Sequence, residues 1–223
     1  MGNMLIFGGG GHARVVVDII EQTNTHRIMG ILVNDFTPGD YRFGYPLFLS
    51  DLENLEPIIK KHKITSLFTA LGNNHKRAEI YHFINARYPH LIWPNFIHQR
   101  ATIPRAVMAS IGQGNVFMAG VIVNPNCKIG NGCILNTKAS LDHDCEMDDF
   151  SSLAPGVTVG GGTIIGAYSA ICLGANLKHK IKIGEHAVIG MGSNVVKNVG
   201  EYEIVYGNPA KFVRYRKSGD PYL

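Results

Sequence analysis

Charge is scarce in this chain of 223 residues: only 17% are Asp, Glu, Lys or Arg, and the net balance is +4. The basic residues are mostly scattered, which speaks against nucleic acid as the main partner. Cysteine is scarce too. Cys127, Cys133, Cys145 and Cys172 form no CxxC pair and do not suit a zinc site. No basic leader, long apolar run or cleavage site stands at the start, so neither a signal peptide nor a membrane span is expected, and the cytoplasm is the expected compartment. Disorder is excluded by the opposite abundance, since 45% of the residues are hydrophobic.

What the chain does contain falls into two halves. The first alternates strand and helix signals: MLIFGGG (4–10) is a buried strand with a turn, and 13–22 has helical apolar spacing. A second strand over 27–36 ends on Asn34 and Asp35. A loop rich in Gly, Pro and Asp leads to a helix over 52–62, a third strand over 64–74 and a helix over 76–87. This order predicts a small Rossmann-like parallel sheet, with Gly8 to Gly11, Asp35 and Asn73 at the strand ends that face one crevice. Gly8, Gly10 and Ala13 fit G-x-G-x-x-G/A, where backbone N–H groups at a helix start can meet an anion, although such glycines also simply permit a tight turn. No second strand-helix-strand set follows residue 87. Half a dinucleotide fold predicts half a dinucleotide, one nucleoside diphosphate.

The second half is a repeat. Every sixth residue from Ile111 to Val195 is a large apolar one, fifteen in succession without an insertion. Small residues usually stand four places after each anchor, among them Cys127, Cys133, Cys145, Ala139, Ser151 and Ala175. This is the hexapeptide pattern of a parallel β-helix, three six-residue units to a coil. Three of the cysteines are thereby core filler. With about 4.8 Å per coil the prism is about 24 Å tall. The expected division is an α/β domain over 1–95, a β-helix over 96–205 and a closing segment over 206–223.

Eighteen-residue stacking puts Pro125, His143, Gly161, His179 and Lys197 in one column. In LDHDCE (141–146), His143 has an acid on either side. A carboxylate at Asp144 or Asp142 can hold one imidazole nitrogen as N–H and leave the other to accept a proton. His179 lies among lysines and lacks that partner. No third histidine completes a metal set with His143 and His179, so no metal is expected.

The unbroken hexapeptides resemble the left-handed β-helix acyltransferases, whose hand is not one that strand-crossover rules would predict. YGNPAKFVR (206–214) is similar to the G-x-P-A segment that closes many of them. The GGGGHA and GNN turns ahead of the repeat resemble one branch: bacterial sugar O-acyltransferases of the sialic-acid type, with relatives that N-acetylate nucleotide-linked 4-amino sugars. The resemblance implies a homotrimer with its sites between neighbouring prisms and acetyl-CoA as the acyl donor. His143 matches the family's catalytic histidine, Asp144 its acidic neighbour, and Gly161 the glycine whose N–H faces the thioester carbonyl. Asn136 matches an asparagine beside the sugar, though an asparagine ladder at a corner would look the same. Coenzyme A is implied along the C-terminal coils, near Ser152, Gly161, Gly174, Ala175 and Gly192, with Lys197, Lys211 and Arg214 for its phosphates unless these are merely solvated. The nucleotide is implied at Gly10, Gly11 and His12 for the diphosphate, and at Asn34, Asp35, Gly72, Asn73 and Asn74 for the rest, leaving uracil, thymine or guanine open. The expected activity is N-acetylation of a nucleotide-linked amino sugar such as a UDP- or dTDP-4-amino-4,6-dideoxyhexose. The alternative is O-acetylation of the sialic-acid type.

Overall fold

The computed structural model describes residues 1–221. The chain divides into two compact units, one of Met1–Gly72 with Lys76–Phe96, the other of Asn73–His75 with the chain from Ile97 onward. The last two residues of the expected closing segment over 206–223 lie outside the described residues.

The first unit is built on five strands: β1 (Gly2–Phe7), β2 (His26–Val33), β3 (Tyr41–Arg42), β4 (Tyr45–Leu49) and β5 (Ile64–Thr69). Their order is β3-β4-β2-β1-β5, parallel except for the β3–β4 hairpin. Parallel strands covered on both faces require continuous apolar runs, and Met4 to Phe7 and Ile31 to Val33 supply them, all buried. Helices α1 (Gly11–Thr23), α2 (Glu56–His62) and α3 (Asn74–Arg87) accompany the sheet. Val16, Ile19 and Ile20 form the buried stripe of α1 at helical spacing. The hairpin and β4 occupy what the sequence presents as a loop: Gly39, Gly44 and Pro46 punctuate too closely for a strand signal, yet Leu47 is buried beside β2.

The second unit is a stack of two-residue strands joined by corners. Each strand pairs in parallel with the one 18 residues on, as in Ile134 with Ser152 and Ser152 with Ala170, and three such ladders form the faces. The anchors from Phe117 to Val195 are buried inside the coils, and the small residues between them, including Cys127, Cys133 and Cys145, fill the same core. Corners repeatedly use a left-handed residue: Asn126, Asp144 and Gly162 at one, with φ of 62°, 60° and 68°. The G-x-P-A segment turns a hairpin between Glu203–Gly207 and Ala210–Tyr215, the first strand of which pairs with Val188–Ile189.

Candidate functional site

The catalytic candidates gather at one corner of the β-helix. His143 Nδ1 lies 2.6 Å from Asp144 Oδ2. A carboxylate can only accept, so Nδ1 carries the proton and Nε2 keeps a lone pair. The His143 backbone N–H donates to Asp142 Oδ1 at 2.8 Å, so each flanking acid holds a different part of the same residue. The hydrogen bond to Asp144, followed by the charge of Asp142, raises the imidazole pKa above its ordinary value. Asp144 is correspondingly held below the usual carboxylate range, first by His143 and then by Asn126. The imidazole is exposed, so both effects are screened by water.

Gly161 sits directly over the ring. A Cβ there would stand 2.8 Å from both Cε1 and Nε2 of His143. Its N–H makes no hydrogen bond among the described residues. A free N–H beside an open imidazole nitrogen is the pairing that a tetrahedral oxyanion and a departing proton need. His179, two coils higher, is exposed and its ring makes no hydrogen bond among the described residues. Asn136 stands in its corner without an asparagine neighbour 18 residues away, since that column holds Met118 and Ala154. Its Oδ1 accepts from Thr137 N at 2.7 Å, while its Nδ2 makes no hydrogen bond among the described residues.

Of the residues expected near coenzyme A, Gly174 and Gly192 open onto free space, Ser152 is half-buried on an outer strand position, and Lys197, Lys211 and Arg214 are exposed. The Ala175 methyl is buried among the inward small residues, its N–H donates to Cys172 O and its carbonyl accepts from Thr158 N–H.

In the first unit the strand order reverses between β1 and β5, and the glycine turn follows β1 at that point. Gly8 has φ of 105°, and a Cβ there would meet Ala70 O at 2.8 Å, which fixes glycine at that turn. Gly10 and Gly11 face open space instead, at an α1 start that has no side-chain cap and no acid in its first turn. His12 follows, with Nε2 shielded from solvent and without a hydrogen-bond partner. Burial and then the Arg77 charge lower its pKa to about 4. Asn34 and Asp35 are exposed just beyond β2, and Gly72 is half-buried after β5. Asn73 and Asn74 belong to the second unit. The Asn74 side chain is buried and donates to Ser169 O at 3.0 Å and Tyr168 O at 3.3 Å, which makes it a brace for a β-helix corner.

Two cations escape a reading of the sequence. Arg42, on the unforeseen hairpin, donates to Gly9 O at 3.2 Å, and the buried Arg77 donates to Leu71 O at 3.0 Å. Arg42 thus borders the glycine turn, the Arg77 charge acts on His12 within it, and a fully buried arginine is rare enough to mark the place. The stack of Phe150, Tyr168, His186 and Tyr202, with His186 and Tyr168 centroids 4.5 Å apart, was equally unforeseen, although its first three members recur every 18 residues.

The coiled faces and the histidine corner define a hexapeptide-repeat acyltransferase with a left-handed β-helix. The family model of the PglD N-terminal domain matches residues 3–84. The GDP-perosamine N-acetyltransferase of Caulobacter crescentus is 30% identical, with 96% of this chain and 98% of that one covered at a TM-score of 0.86. It was crystallised with CoA and GDP-perosamine as a histidine-to-alanine variant. The acetyltransferase domain of PglB from Neisseria gonorrhoeae, solved with acetyl coenzyme A, is 32% identical, with 95% and 98% covered and a TM-score of 0.83. Among curated proteins, the acyl-carrier-protein-dependent UDP-N-acetylglucosamine O-acyltransferase of Pseudomonas aeruginosa is 31% identical over 112 residues, 50% of this chain and only 36% of that protein. The chain belongs to the hexapeptide-repeat acyltransferases that carry a PglD-type N-terminal domain, and it is an acyltransferase. Among the described residues no helix is long and apolar enough to cross a membrane, and no group of three metal-ligating side chains forms.

Proposed function

We propose that this enzyme transfers the acetyl group of acetyl-CoA to the amino group of a nucleotide-linked amino sugar, a 4-amino-4,6-dideoxyhexose on UDP, dTDP or GDP. The observation that carries the reading is the His143–Asp144 pair with its open Nε2 against Gly161, in a chain that parallels the perosamine enzyme from end to end. The sugar nitrogen attacks the thioester carbonyl carbon while His143 Nε2 takes the proton that the nitrogen loses. The Gly161 N–H meets the oxyanion of the tetrahedral intermediate. Collapse breaks the carbon–sulfur bond, and the imidazolium returns its proton to the departing thiolate. A sugar amine is partly neutral near neutral pH, so one histidine suffices.

The first unit holds the nucleotide in this scheme, with the diphosphate at Gly10, Gly11 and His12. Because His12 stays neutral, it serves the phosphates as a hydrogen-bond donor, and Arg42 and Arg77 supply the charge. The working form is a homotrimer, and the compartment is the cytoplasm. The test is a thermal-shift panel of UDP, dTDP, GDP, CMP and coenzyme A, followed by thiol release from acetyl-CoA with the matching amino sugar. Stabilisation by coenzyme A and by one nucleoside diphosphate is expected. Stabilisation by coenzyme A alone, or by CMP, would replace this reading with O-acetylation of a sugar hydroxyl.

A further inference from the structure

One coil below the histidine corner, two asparagines reach up to its two acids. Asn126 Nδ2 donates to Asp144 Oδ1 at 3.1 Å, and Asn124 Nδ2 donates to Asp142 Oδ1 at 2.7 Å. Both Asp144 oxygens are therefore in use, Oδ2 on the imidazole and Oδ1 on the carboxamide, so the plane of the carboxylate is fixed at two points. Asp142 Oδ1 is shared between Asn124 and the His143 backbone. Without its lower partner, an exposed Asp144 can rotate its carboxylate into water, where the hydrogen bond to His143 competes with solvation.

Asparagine at 126 has a plainer explanation, since its backbone is left-handed and Asn tolerates that conformation. Stacked polar ladders also occur away from any chemistry, as between Asn176 and Asn194 at 3.0 Å. What separates Asn126 from both cases is the end of its chain of bonds. Its ladder terminates on the nitrogen opposite the one that takes the proton.

We infer that Asn126 is a positioning residue for the acetyl transfer, holding Asp144 against His143 Nδ1 from the coil below, with Asn124 doing the same for Asp142. This rests on His143 being the base. The titratable groups that face the imidazole are Asp144, Asp142 and the buried Cys127 thiol, and Gly161 above it carries no charge. Of these, Asp144 contributes most to the raised imidazole pKa, so loosening it lets that pKa fall toward the ordinary value.

Asn126→Gly is the decisive variant, because glycine keeps the left-handed backbone and removes only the carboxamide. We expect kcat to fall about three- to tenfold with KM for acetyl-CoA unchanged. The acid limb of the kcat/KM profile should move to lower pH. NMR titration of the His143 ring should show the same displacement without reference to turnover. Asn194→Ala, which breaks the unconnected ladder, should do neither. An unchanged His143 titration and acid limb in Asn126→Gly, beside an inactive His143→Ala, overturns the positioning role and leaves the base in place. A His143→Ala enzyme that keeps its turnover overturns both.

Discussion

The histidine corner and the glycine turn each centre on one imidazole, and the two are prepared in opposite directions. His143 is exposed between two carboxylates and its pKa is raised; His12 is half-buried beside Arg77 and its pKa is lowered to about 4. Under the proposed reaction the first is the one placed to gain a proton, and the second is the one placed to remain neutral and offer only an N–H. A histidine's chemistry is set by what stands around it, and here the surroundings move the two imidazoles in opposite directions.

The comparison breaks most sharply at His143 itself. Replacement by alanine should lower kcat at least about a hundredfold while acetyl-CoA binding is nearly kept, because a general base contributes on that scale and touches the donor little. His179→Ala removes an imidazole from the same column, without a carboxylate beside it, and should stay near wild-type turnover. Steady-state rates and an acetyl-CoA titration on both variants check this; comparable losses at the two positions would mean that the acids flanking His143 confer nothing.

Gly161→Ala sharpens the same corner. The added methyl would stand 2.8 Å from the imidazole, and the atoms it meets are the far end of an exposed side chain, so the ring moves and the backbone stays. Gly161 does not have a positive φ, so alanine brings no backbone strain. We expect kcat to fall about tenfold, the scale of a misplaced catalytic group, with Tm nearly unchanged. A large loss of Tm would show instead that the glycine serves packing.

The β-helix was legible in the sequence because its rule is local: one large apolar residue in six and a small one four places on place every inward side chain. The corner column followed from the same arithmetic, which brought His143, Gly161 and His179 together on paper. What the arithmetic did not show is direction. Ala175 fits the pattern both as an inward small residue and as a neighbour of coenzyme A, and the structure shows its methyl turned into the core. Asn74 looked like part of a polar loop tip, yet its amide is turned onto carbonyls 94 and 95 residues away. Arg42 reaches the glycine turn from a hairpin with no periodic signal of its own, and a contact across 33 residues is set by tertiary packing. The Asn126 brace lay within reach, since it is 18 residues before Asp144, but only hydrogen-bond geometry distinguishes it from an ordinary left-handed asparagine.

The smallest expected effect tests the other imidazole. Because the folded chain holds His12 unprotonated down to about pH 4, while an unfolded histidine titrates near its model value of 6.5, the unfolded state binds the extra proton between those limits. Native stability supplied by neutral His12 is therefore present above about pH 6.5 and lost as the pH falls toward 4. Discounted for partial exposure, the loss is on the order of 1 to 2 kcal/mol, a Tm change of a few degrees in a chain of this size. Thermal melts of His12→Gln should lack that acid slope, and wild-type melts should keep only part of it once a nucleoside diphosphate is bound, because an anion beside the ring favours its protonated form. An identical slope in the two proteins would mean that His12 titrates alike in the folded and unfolded chain, so that burial at the glycine turn does not hold it neutral.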